Sequence, residues 1–144
     1  MACESVFAKE IASLDAVFAF LDQFYAEQEI PRREALALSL VVEELFTNLV
    51  KYNTASRNPI RLRLDREEGR VALELTDRDV DRFDPASVPE LDLEAPVSER
   101  RAGGLGLHLV RAIADRITFD YADRVMRIAV VKELEPGDVR DPEG

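Results

Sequence analysis

Between Ile11 and Gln28 the apolar residues Leu14, Val17, Phe18, Leu21, Phe24 and Tyr25 recur at steps of three and four. That is the period of one helix face. Lys9 and Ser13 precede the run, and neither makes a secure cap. Ile30-Pro31 interrupts it, and Pro31 suits the first turn of a second helix. There Leu38, Val41, Val42, Leu45, Leu49 and Tyr52 form a second stripe, ended by the polar loop Asn53–Pro59. The period then changes to two. Ile60, Leu62 and Leu64 alternate with Arg61, Arg63 and Asp65, and Val71, Leu73 and Leu75 alternate with Ala72, Glu74 and Thr76. This predicts two half-buried strands joined by a turn at Glu67–Gly69. Cys3–Ala8 reads as a short edge strand.

From Asp77 to Gly104 regular patterning stops. A connection of that length without regular structure is unusual inside a compact domain, and is usually functional or mobile. A third helix is expected from Leu105, carried by Leu109, Val110, Ile113 and Ile117. Phe119 and Tyr121, then Met126, Ile128 and Val130, predict a final hairpin turning at Ala122–Arg124. The order is strand, helix, helix, strand, strand, long loop, helix, strand, strand. Strands joined mainly as hairpins predict an α+β fold, a two-layer α/β sandwich with a mostly antiparallel mixed sheet and helices on one face. One domain is expected over residues 1–134, with a polar, frayed tail at 135–144.

Composition narrows the function classes. The 144 residues are 47% apolar, enough to bury a core. The formal charge of −10, from 29 acidic and 19 basic residues, repels a phosphate backbone and argues against general nucleic-acid binding. Cys3 alone forms no internal disulfide, which fits a reducing cytoplasm. Met1–Lys9 lacks the apolar core of a signal peptide, and no apolar run approaches the roughly 20 residues of a membrane helix. A cytoplasmic protein is expected.

Three local features can carry chemistry. Glu43-Glu44-Leu45-Phe46-Thr47-Asn48 places Glu44 and Asn48 four apart, on one face at the rim of the buried stripe. An amide oxygen is a hard ligand suited to Mg²⁺, and a carboxylate can take a proton from a nucleophile. Asp77, at the end of a hydrophobic strand, can accept a hydrogen bond from the exocyclic amine of a base. Gly103-Gly104-Leu105-Gly106-Leu107 runs into a helix, where bare backbone N–H groups and the helix dipole favour phosphate, with Arg100 and Arg101 nearby. Taken singly, each has a plainer use: solvated helix residues, an acidic turn, a flexible helix start. His108, on the third helix, reads as structural or exposed.

Together these residues resemble the nucleotide-binding boxes of the GHKL (Bergerat-fold) ATPase superfamily. Glu44 to Asn48 is similar to its N box, Asp77 with Phe83-Asp84-Pro85 to its first glycine box, and Gly103 to Leu107 to its second. The likeness runs from about Phe7 to Leu134. The short length and the Phe-Asp-Pro ending resemble the bacterial anti-sigma factor serine/threonine-protein kinases. The resemblance implies ATP and Mg²⁺ as cofactors, with Asn48 coordinating the metal, Glu44 the general base and Asp77 binding adenine. It implies that Gly103, Gly104, Leu105, Gly106 and Leu107 hold the phosphates, and that the segment from Asp84 to Gly103 closes as a lid. The implied partners are a sigma factor and a STAS-type anti-anti-sigma protein, with a homodimer as the docking platform.

The first box departs from the family pattern. Asp79 stands where relatives usually carry glycine, and the spacing from Asp77 to Phe83 is one residue longer than usual. A side chain and a negative charge there are expected to weaken or abolish nucleotide affinity. Two functions from different classes therefore stand side by side: an ATP-dependent serine kinase, and a non-catalytic partner-switch module with a degenerate nucleotide site. The apolar face of Phe18, Leu21 and Tyr25 would serve a docking contact or, more commonly, the core.

Overall fold

The computed structural model describes residues 2–52, 57–80 and 110–134. The described residues form five strands and two long helices: β1 (Ala2–Phe7), α1 (Leu14–Gln28), α2 (Arg32–Tyr52), β2 (Ile60–Glu67), β3 (Arg70–Arg78), β4 (Arg116–Ala122) and β5 (Val125–Glu133). A short 3₁₀ turn, Ile11–Ser13, leads into α1. Ser13 precedes that helix without a side-chain capping bond. Pro31 sits just outside α2, and its carbonyl accepts from the Ala35 N–H to begin the helical ladder.

The strands lie in the order β1-β2-β3-β5-β4, and every described pairing is antiparallel. Register aligns the apolar positions into rows: Ser5–Leu62–Leu75–Ile128–Phe119 is one, Cys3–Leu64–Leu73–Val130–Ile117 another. These rows face the helices, and their large side chains join Leu21, Phe24, Leu38, Val41, Val42, Leu45, Phe46 and Leu49 in one core. The opposite face carries Arg61, Arg63, Asp65 and Glu74, so alternation of period two separates a wet face from a dry one. The expected α+β, two-layer architecture is the one observed.

Two expectations change, and the commoner of the two uses weighed for the Leu21 face holds. β3 does not stop at Thr76 but continues through Asp77 and Arg78, because β5 supplies partners, Met126 and Val125, for both. Ile117 belongs to β4, where it pairs with Val130, not to the third helix. Residues 110–113 of that helix are helical, and the chain leaves it by Asp115. The face of Leu21 and Tyr25 is buried, with Phe18 packed beside it, so it serves the core and not a docking contact. The long connection, the helix start and the tail at 135–144 lie outside the described residues.

Tyr25 also ties the helices together through a 2.9 Å hydrogen bond between its hydroxyl and Ser39 Oγ. Burial pushes the Tyr25 phenol up to about 12, with the Ser39 bond acting in the opposite direction, so the hydroxyl stays protonated at neutral pH. Tyr25→Phe is expected to cost about 1 kcal/mol, the usual net worth of such a bond. A double-mutant cycle with Ser39→Ala checks this: the double variant should unfold at nearly the same denaturant concentration as either single one.

Candidate functional site

One helical turn separates Glu44 from Asn48, so both leave α2 on the same side. Asn48 lies between Leu45 and Leu49 of the stripe, and only 2% of it is exposed. Neither its amide oxygen nor its amide nitrogen has a hydrogen-bond partner among the described residues. A buried amide left so costs about 1–3 kcal/mol per unmet group, which folding alone gives no reason to accept. Glu44 is half-buried, and its Oε2 is also buried without a hydrogen-bond partner among the described residues. Burial raises the Glu44 carboxyl above its ordinary range; Lys51 opposes that rise and Glu43 adds to it.

Asp77 faces the same interior from the sheet. It is the charged member of the row that contains Met126 and Tyr121, one register step beyond the apolar row of Leu75. Its exposure is 0%, and its Oδ2 is 2.9 Å from Lys9 Nζ, whose side chain is itself 3% exposed. Lys9 sits in the loop after β1, which the β1–β2 pairing (Phe7 opposite Ile60) brings to this end of the sheet. It is the functional candidate that the sequence did not signal. A lone lysine after an edge strand has no period and no motif, and its meaning comes only from the tertiary approach to Asp77.

Asp79 has φ +58, the left-handed region that glycine enters without strain. Aspartate is among the few residues that tolerate it. The backbone bend expected of a glycine is therefore kept. The Asp79 carboxylate, 66% exposed, turns outward onto Arg124, whose Nε lies 3.0 Å from Oδ1 and whose Nη2 donates to the Asp79 carbonyl at 3.3 Å. Arg124 and Asp123 form the β4–β5 turn with φ +62 and +55, as a two-residue primed hairpin requires. Val80 N–H donates to the Arg124 carbonyl at 3.1 Å, and Tyr121 Oη donates to the Val80 carbonyl at 2.8 Å. The end of β3 is thus held to the neighbouring hairpin, and the acidic side chain does not fill the interior. Asp79→Ala is expected to unfold more easily than Asp79→Gly by about 1 kcal/mol, since alanine pays the left-handed strain; chemical denaturation of both variants measures the difference.

Gly103, Gly104, Leu105, Gly106 and Leu107, with Asp84 and His108, lie outside the described residues. No cluster of three His, Cys, Asp or Glu able to hold a metal occurs among the described residues. The neutral amide oxygen of Asn48 is a donor that would suit a Mg²⁺ ion taking its remaining ligands from phosphates and water. A shallow depression of about 300 Å³ on the helix-free face, between Arg63, Asp65, Glu74 and Val131, contains none of these residues. No helix among the described residues is long and apolar enough to cross a membrane.

The model of the family described as "Histidine kinase-like ATPase domain" matches residues 7–132. Among solved structures, the chain is similar to that of the RsbU and RsbW domains of Rv1364c from Mycobacterium tuberculosis. The identity is 14% and the TM-score 0.68, over 93% of this chain and 32% of that one. It is also similar to the histidine kinase domain of the blue-light activated histidine kinase from Erythrobacter litoralis, EL346. There the identity is 16% and the TM-score 0.52, over 90% of this chain and 63% of that one. The chain thus spans about a third of the first structure's length and under two thirds of the second's. At these identities the likeness is one of fold. No curated protein matches the sequence.

Proposed function

This chain belongs to the histidine kinase-like ATPase domain family, and from that premise we propose that it binds ATP and phosphorylates a serine of a STAS-type anti-anti-sigma antagonist, acting in the cytoplasm as an anti-sigma regulator. The observation that carries the ATP site is the buried Asn48 amide with both polar atoms unmet. The anti-sigma branch is supported by the Phe83-Asp84-Pro85 ending.

Each residue has a part that its chemistry suits. Asn48 Oδ1 would ligate Mg²⁺, which recovers the hydrogen-bonding energy that its burial forfeits. Asp77 would accept the exocyclic amine of adenine, and Gly103 to Leu107 would offer backbone N–H groups to the phosphates. Mg²⁺–ATP, when bound, supplies the phosphoryl group and neutralises the charge that develops on it. Glu44 would take the proton from the serine hydroxyl, and its raised carboxyl makes it a stronger base than an ordinary glutamate once ionised.

One observation favours a non-catalytic, partner-binding module: Lys9 already occupies an oxygen of Asp77. Incubation with Mg²⁺–ATP and a STAS-type antagonist separates the two. Phosphoserine on the antagonist, with ADP formed in equal amount, is the expected result. A stable complex with a sigma factor or antagonist, formed equally well without nucleotide and never yielding phosphoserine, would favour the module.

A further inference from the structure

We infer, taking Asp77 as the base-binding carboxylate proposed above, that Lys9 is the residue that makes the base pocket selective for a 6-aminopurine over a 6-oxopurine. Asp77 is fully buried and Lys9 nearly so, at 2.9 Å. A carboxylate moved into an apolar interior without a counter-charge is costly, and the group escapes the cost by protonating. A protonated carboxyl gains a donor; an ionised one only accepts. The ammonium of Lys9 therefore decides which hydrogen-bonding character Asp77 presents. Held ionised, Asp77 accepts from the amine of adenine and repels the carbonyl oxygen of hypoxanthine or guanine. A carboxylate has about four acceptor sites, more than one ammonium takes, so the ion pair and a base amine are compatible.

The placement supports a role in the site and not only in the fold. Lys9 reaches Asp77 from the loop after β1, while the rest of the Asp77 row, Met126 and Tyr121, is apolar or aromatic. An ion pair in that row is a poor source of stability, since well-packed apolar residues commonly do as well or better. A merely structural pair would change melting temperature when broken, but not the ratio of affinities for two bases.

Titration of the full chain with Mg²⁺–ATP and Mg²⁺–ITP, in wild type and Lys9→Met, is the test. The wild type should prefer ATP by about 10- to 100-fold, the range of one hydrogen bond to a charged group. In Lys9→Met the preference should collapse to within about threefold, and Lys9→Arg, which keeps the charge, should restore it. Should Lys9→Met fail to fold, Lys9→Gln keeps a donor without the charge and should show the same collapse. A wild-type preference that survives in the neutral variant would overturn the role of Lys9 while leaving Asp77 as the base contact. A tighter Lys9→Met complex with unchanged preference would show Lys9 to be a plug, and overturn it equally. Equal binding of the two nucleotides by the wild type would remove Asp77 from base recognition, and the role of Lys9 with it.

Discussion

Asn48→Ala is expected to lose Mg²⁺-dependent nucleotide binding by at least about 100-fold and yet to leave the protein as stable as the wild type or more so. Most buried substitutions destabilise, because they remove packing or a satisfied bond. Asn48 is a different case. It is 2% exposed, with neither amide atom hydrogen-bonded among the described residues, so the folded state carries the cost of an unmet polar group. Alanine removes that cost, about 1–3 kcal/mol, and offsets it with the loss of a small packed volume. The same change removes the amide oxygen that Asn48 would offer to Mg²⁺. Denaturant unfolding and calorimetric titration on one preparation give both signs. A variant that unfolds far more easily than wild type would mean that Asn48 is a structural residue.

Glu44→Gln is expected to slow phosphoryl transfer by about 10²- to 10⁴-fold, the usual worth of a positioned general base, with ATP affinity nearly unchanged. The pH dependence has a definite direction. Burial raises the Glu44 carboxyl, Lys51 opposes the rise and Glu43 adds to it. The wild-type rate should therefore fall on the acid side at a pH above the ordinary glutamate range, because the base is ionised only above its raised pKa. Stability follows the same linkage. A carboxyl raised on folding contributes stability that is fully present below its unfolded value and lost as pH rises through the folded one. Glu44→Gln abolishes that loss, so its stability relative to wild type should grow with pH across this window. A transfer rate unaffected by the substitution would remove Glu44 as the base.

The candidate site was legible where chemistry and helical period coincide. Glu44 and Asn48 stand four apart on a strongly periodic helix, and the structure keeps them on one face. Asp77 was legible as a carboxylate ending a hydrophobic strand. Its burial was not, because aspartate has low strand propensity and only the pairing of Asp77 and Arg78 with Met126 and Val125 carries β3 onward. Ile117 satisfies two periods at once, four from Ile113 and two from Phe119; the pairing with Val130 decides for the strand. Asp79 is the instructive case. Its identity argued for a spoiled glycine box, but side-chain type does not report φ, and at +58 the backbone bends as glycine would. The outward turn of its carboxylate depends on Arg124, 45 residues on, which no local pattern connects to it. Lys9 was invisible for the same reason: a long-range contact between single residues leaves no periodic trace.

Calorimetric titration of the wild-type chain with ATP, with and without Mg²⁺, tests the central claim that Asn48, Asp77 and the glycine segment form a working nucleotide site. Saturable binding at roughly micromolar concentrations that requires Mg²⁺ is the predicted result. No detectable binding at millimolar nucleotide would contradict it, and would leave a family fold whose work is done by binding proteins alone.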